Sequence, residues 1–173
     1  LYIFAATFCV VLIIMALLVQ YPESKHIPEN PITLKQTLKM LKDPYALGFS
    51  LGAFLYVATE SAIYVWMPTL LLDYSGNALF LATYALTIFF VLRAAGRFLG
   101  IWMMARFDWA LVMSLFSLAI LLCFVGTIIG GTDTAVYLLP LSGLFMSVIY
   151  PTLNSKGISC FRKQNHGGAA GVI

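Results

Sequence analysis

Counting in fours through the stretch Tyr45 to Leu72 picks out Gly52, Tyr56, Glu60, Tyr64 and Pro68. On a helix, residues four apart are neighbours, so these five form a single drifting stripe. A carboxylate accepts hydrogen bonds, and a phenol donates or accepts. The phenol rings add apolar faces, so the stripe suits a ligand with both hydroxyls and C–H surfaces. Glu60 is the one charge in YALGFSLGAFLYVATESAIYVWMPTLLL. A helix of that length spans a hydrocarbon core about 30 Å thick. A carboxylate at such depth costs at least about 2.5 kcal/mol, so it must face protein or a water-filled cavity. Two roles are open. Glu60 pairs with an arginine on a neighbouring helix, Arg93 being the candidate, and holds a bundle together. Alternatively, it lines a polar cavity at the membrane midplane.

The whole chain has the composition such a helix needs. Of 173 residues, 61% are hydrophobic and 10% charged, with a mean hydropathy of +0.94. Soluble domains sit near about 45–50% apolar and about 25% charged. Too few charges remain to cover a water-exposed surface, so the chain reads as an all-α integral membrane protein. Cys9, Cys123 and Cys160 are widely spaced and imply neither a disulfide framework nor a metal site. His26 and His166 fall in loops without a ligand-spaced partner. The spans hold one acid and no histidine, too little for a catalytic constellation, so an enzyme is not expected. No cofactor and no nucleic-acid partner are implied. The chain starts inside one apolar run and ends at the opening of another, and so reads as a piece of a longer protein.

Leu1 to Val19 is an apolar span. Residues 21–44 form a polar linker carrying Lys25, Lys35, Lys39 and Lys42. Within the linker, Thr33 and Gln36 read as a capping box. Leu34, Leu38 and Leu41 follow, with lysines beside them. The pattern predicts a short amphipathic helix on the membrane surface, or a plain loop helix packed on the bundle. After the Glu60 helix come the turn DYSGN at 73–77 and a span over 78–105 holding Arg93 and Arg97. A very short loop, Arg106 to Asp108, leads to a span over 109–129, the turn GGTDT at 130–134, and a span over 135 to about 155. Pro140 and Pro151 interrupt that last span. Pro151, after Tyr150, predicts a kink, and the carbonyls it frees, with Asn154, could face a cavity. A polar loop at 156–166 precedes GGAAGVI, whose small residues allow close helix packing. Basic residues gather in the linker, at Arg106 and in 156–166, whereas the intervening turns carry only Asp73 and Asp133. The basic side alternates with each crossing, which places the linker in the cytoplasm.

Gly96 to Arg106, GRFLGIWMMAR, joins two spans. Gly96 and Gly100 make a smooth face for a neighbouring backbone, and Arg97 and Arg106 can latch carbonyls or a carboxylate at the cytoplasmic helix ends. A long linker followed by short connections and this signature looks like the middle linker and second half of a major facilitator transporter. In that superfamily a basic, glycine-containing signature recurs between helices 2–3 and 8–9. Gly96, Arg97, Gly100 and Arg106 match it, while Ala105 stands where an acid usually precedes the last basic residue.

A sharper resemblance runs from Tyr45 to the end. FMSVIYPT at 145–152, the LNSKGI after it and GGAAGVI resemble the tenth and eleventh helices of the fucose–galactose–glucose:proton symporter family. FLYVATE at 54–60 resembles its seventh helix, and GRFLGIWMMARF its eighth helix and following loop. The resemblance implies the C-terminal half of a major facilitator fold, about helices 6 to 11: residues 1–20 as helix 6, 21–44 as the cytoplasmic linker, and 45–173 as the C-terminal bundle. It implies a midplane sugar site between two halves, and proton-coupled uptake of a monosaccharide by alternating access. The family's proton-carrying acids would lie largely in the N-terminal half. Glu60, Tyr56, Tyr64 and Asn154 are then the candidate sugar contacts, and Tyr150 and Pro151 a conformational element. Trp66 could stack on a sugar or anchor the interface. The implied setting is a bacterial inner membrane, with sugar, protons, lipid and the N-terminal half as partners. An exporter or carrier for another small polar metabolite or drug would share the fold.

Overall fold

The computed structural model describes residues 2–19, 37, 39–161 and 166–171, and these are helices joined by turns. The capping box at Thr33 and most of the predicted linker helix lie outside the described residues. So do His26, Arg162 and Lys163. The chain divides into two compact units, Leu1–Pro31 and Ile32–Ile173. The first holds α1, Tyr2–Leu18. Its 17 residues lie at the lower end of the about 17 to 25 that a crossing takes. Thr7 gives its hydroxyl to the Ile3 carbonyl at 2.9 Å, which satisfies the polar group within the helix, as hydrocarbon surroundings require.

In the second unit, α2 runs from Pro44 to Leu70. Asp43 starts it, its carboxylate accepting the Tyr45 N–H at 2.8 Å and the Ala46 N–H at 3.4 Å. Pro44 fills the first turn, where a missing N–H costs nothing. Ala46, Ala53, Tyr56, Ile63 and Met67 form its inward face. Phe54, Leu55, Val65 and Trp66 stay exposed, as on a lipid-facing surface. The predicted span 78–105 is divided in two: α3, Leu79–Thr83, and α4, Ala85–Met104, meet at Tyr84. Neither Pro nor Gly marks this break in the sequence.

Asp108 caps the next helix, accepting the Ala110 N–H at 3.0 Å. That helix, α5, covers Trp109–Met146 and folds back on itself at Gly131, where φ is 64° and ψ −156°. Only glycine takes that conformation without cost. The rings of Phe116 and Phe145 lie 5.7 Å apart, whereas a straight helix would separate them by about 43 Å. The reversal falls within the predicted GGTDT turn. Beyond Met146 the helix breaks at Ser147 and Val148, then resumes as α6, Ile149–Ser159. Pro151 accounts for the break: it has no N–H for the Ser147 carbonyl, and its ring crowds that oxygen. A last short helix, α7, covers His166–Ala170.

Among the described residues three stretches, Pro44–Leu70, Ala85–Met104 and Trp109–Ser159, are long and apolar enough to cross a membrane. The Gly131 reversal gives the third, 51 residues long, two arms. The ends of these helices sort as alternate crossings require. Thr152 gives its hydroxyl to the Met104 sulfur at 3.7 Å, and the Lys156 ammonium stands 5.3 Å from the Trp109 ring centre, so these four residues share one end. At the other end, Trp66 and Leu70 line the same cavity as Phe124 and Thr127.

Candidate functional site

The midsection of α2 presents Glu60 and Tyr64 toward α4, one turn apart. The Tyr64 hydroxyl donates to Glu60 Oε1. From α4, Arg93 donates through Nη1 to the same carboxylate oxygen, and to the Tyr64 hydroxyl oxygen at 2.6 Å. Three polar groups thus close a small ring of three hydrogen bonds, each with an ionised donor or acceptor and so stronger than a neutral one. The Glu60 and Arg93 side chains keep 16% and 14% of their surface exposed. Phe89 and Phe90 hold the Tyr64 ring between centroid distances of 5.9 and 5.4 Å, which fixes the direction of its hydroxyl. Among the described residues this is the one ion pair.

Tyr56, one turn before Glu60, is buried. Its hydroxyl donates to the main-chain carbonyl of Met146 at 2.8 Å, and its ring stacks on Tyr150 with centroids 6.1 Å apart. Met146 is the last residue of α5, where helix carbonyls run out of main-chain donors. The structure therefore commits the Tyr56 hydroxyl to the broken helix and presents the ring beside Tyr150. A Cβ at Gly52 would stand at ordinary contact distance from the Leu153 side chain of α6. One residue on, Asn154 holds the one buried side-chain polar atom among the described residues without a hydrogen-bond partner, its Oδ1. Leaving such an oxygen unsatisfied costs about 1–3 kcal/mol.

The glycines of α4 meet the second arm of α5. A Cβ at Gly96 would collide with the Leu144 carbonyl and the Ser147 hydroxyl, and one at Gly100 with the Val148 side chain. The fit is mutual, since a Cβ at Gly143 would strike the Phe89 carbonyl. Arg97 is exposed, and Arg106 lies 5.0 Å over the ring of Trp102 on the preceding turn, a cation–π contact rather than an ion pair. Sequence reasoning passed over Gly143 and Ser147, although their four-residue spacing is itself a small-residue packing signal. It also passed over Asp43 and Asp108, whose positions just before Pro44 and Trp109 are helix-start signals. Nothing local in the sequence marked the Met146 carbonyl, because its partner lies 90 residues away.

A cavity of about 490 Å³ lies elsewhere, lined by Thr59, Ile63 and Trp66 on one side and Phe124, Thr127 and Leu139 on the other. The hydroxyls of Thr59 and Thr127 bond carbonyls of their own helices at 2.8 and 2.9 Å. The cavity is left apolar, and Glu60 and Tyr64 are not among its lining. Among the described residues no cluster of His, Cys, Asp and Glu could hold a metal ion.

The family model for the Major Facilitator Superfamily matches residues 1–173. A curated protein, the L-fucose-proton symporter of Escherichia coli (strain K12), is 28% identical over 132 residues, which is 71% of this chain and 28% of that protein. The chain thus spans between a quarter and a third of the length of this relative. No solved structure matches the chain.

Proposed function

The chain belongs to the Major Facilitator Superfamily, a family of transporters, and from that premise we propose that it forms part of a proton-coupled symporter for a monosaccharide. A multi-pass integral membrane transporter, rather than an enzyme, follows from the family and the long apolar helices. The sugar and the proton are the finer reading. Its main support is the ring of Glu60, Tyr64 and Arg93, a polar cluster on otherwise apolar helices. Charged groups within a membrane are costly and mark substrate or ion paths by default. The likeness to an L-fucose-proton symporter agrees with that reading.

In this account Glu60, Tyr64 and Arg93 exchange hydrogen bonds with sugar hydroxyls. The carboxylate accepts, the guanidinium donates, and the phenol does either. The stacked rings of Tyr56 and Tyr150 give an apolar wall for the sugar's C–H face. The unsatisfied Asn154 oxygen accepts from a further hydroxyl or from the N-terminal half of the protein. A dry site makes each unpaired hydroxyl expensive, so this mixture of groups is selective. The protein acts by alternating access in a bacterial inner membrane, with residues 45–173 as the C-terminal bundle.

The test is uptake by the full-length protein in proteoliposomes. L-fucose, D-galactose and D-glucose are offered with and without an inward proton gradient. Accumulation of one of them, lost when the gradient is collapsed, is the expected result. Failure to accumulate any of the three, with transport of another polar metabolite or drug, would replace this reading with the general carrier.

A further inference from the structure

Gly143 is buried within the second arm of α5, in a helix interior where glycine is a poor former. Its missing side chain leaves room for Phe89 of α4. A Cβ at Gly143 would stand 2.5 Å from the Phe89 carbonyl oxygen and 2.8 Å from its ring, closer than the 3.0 Å that real Cβ atoms keep. Phe89 itself has no exposed surface, so its ring has no open space to swing into.

From Phe89 two routes lead to the Glu60 cluster. The first runs through its ring, which meets the Tyr64 ring edge-on with planes at 84°. Phe90 lies against the same phenol ring, and the two phenylalanine rings meet each other edge-on at 5.7 Å. The phenol they hold donates to Glu60 and accepts from Arg93. The second route runs through the main chain. In an α-helix the carbonyl of residue 89 receives the N–H of residue 93, one turn on. The atom nearest a Cβ at Gly143 is therefore the carbonyl oxygen that supports the Arg93 main chain, and the next is in the ring that edges Tyr64. Tyr64 on α2 and Arg93 on α4 are thus both steadied from one point on α5.

We propose that Gly143 is a positioning residue for the Glu60–Tyr64–Arg93 cluster: the room it leaves for Phe89 sets how the phenol and the guanidinium reach the carboxylate. A methyl group at this position pushes the Phe89 peptide and ring away by about 0.5 Å, as much as a working site tolerates. Hydrogen bonds weaken as distance and angle leave their narrow range, and charge-assisted ones have the most to lose. The consequence for solute binding rests on the proposed function, whereas the positioning itself does not.

Unfolding midpoints of the full-length protein in detergent test whether packing at Gly143 reaches the Tyr64 hydroxyl. Wild type, Gly143→Ala, Tyr64→Phe and the double variant are compared. Tyr64→Phe keeps the held ring and removes only the hydroxyl. Since Gly143→Ala already spoils the bonds of that hydroxyl, the double variant should lose less than the two single losses together, by about 2 °C or more. Additive losses would make Gly143 a packing residue alone and overturn the proposal. Should Gly143→Ala fail to fold, Phe89→Leu takes its place, because it removes the ring edge that meets Tyr64. Additivity of Phe89→Leu with Tyr64→Phe would then reject the link on which the proposal depends. Uptake in proteoliposomes reads the consequence for transport. The half-saturation concentration of the transported solute should rise about fivefold in Gly143→Ala, more than the maximal rate falls, and little further once Tyr64→Phe is added. Non-additive midpoints with an unmoved half-saturation would support the positioning and refute the cluster as the solute site, so the two failures are told apart.

Discussion

Gly96 of α4 lies directly against the main-chain carbonyl of Leu144, with the Ser147 hydroxyl alongside, and no Cβ fits between them. Gly143 returns the contact against Phe89. Two backbones approach this closely only where side chains are missing, which in a membrane is a main source of helix affinity. Gly96→Leu should therefore force α4 from the α5 arm. A loss of about 1–3 kcal/mol, typical of overpacking, is expected. Thermal unfolding in detergent, followed by scattering or tryptophan fluorescence, should show a clear fall in midpoint and a loss of transport. Wild-type stability in Gly96→Leu would mean that the two helices do not meet here.

Topology can be read by labelling. Single cysteines at positions 35, 106 and 163 of the full-length protein should react with an impermeant maleimide only from the cytoplasmic side, and those at 77 and 133 only from outside. The expectation rests on the alternating basic residues, and on the shared end of Met104, Trp109, Thr152 and Lys156. Labelling of 35 and 77 from the same side would break the assignment of α2 as a crossing.

The Glu60–Arg93 pair predicts its own double-mutant cycle. Arg93→Gln leaves a carboxylate half-buried and short of its donor. Breaking a buried pair costs about 3–5 kcal/mol, and the exposure of these side chains, 14% and 16%, should reduce that toward the lower figure. Glu60→Gln with Arg93→Gln removes both charges and should recover much of the lost stability. The comparison is made on unfolding midpoints. Additive losses in the double variant would show that the two side chains do not depend on each other.

Much of the fold was legible because hydrophobic length and glycine placement act locally. The reversal at Gly131 falls inside the predicted GGTDT turn, since glycine alone takes its backbone angles freely. The kink announced by Pro151 is found one turn earlier, at Ser147 and Val148, because a proline disturbs the carbonyl four residues before it. Counting in fours brought Tyr56, Glu60 and Tyr64 onto one face, but it could not say which hydroxyl goes where. Tyr64 turns to Glu60, whereas Tyr56 serves a carbonyl 90 residues on, a pairing set by tertiary packing alone. The break at Tyr84 left no trace in the sequence. The same is true of Arg106 settling over Trp102 rather than on a carboxylate, since an exposed guanidinium has several partners of similar worth.

The account turns on Glu60 as part of the transport site, and Glu60→Gln tests this most directly. The change keeps the shape and one acceptor oxygen but removes the charge. Uptake and counterflow of the transported sugar are measured in proteoliposomes holding the full-length protein, wild type beside variant. A hydrogen bond to a charged group is worth about 1.5–3 kcal/mol, so the half-saturation concentration should rise by about tenfold or more. Unchanged half-saturation together with unchanged accumulation against a gradient would contradict the account and leave Glu60 and Arg93 as a structural pair.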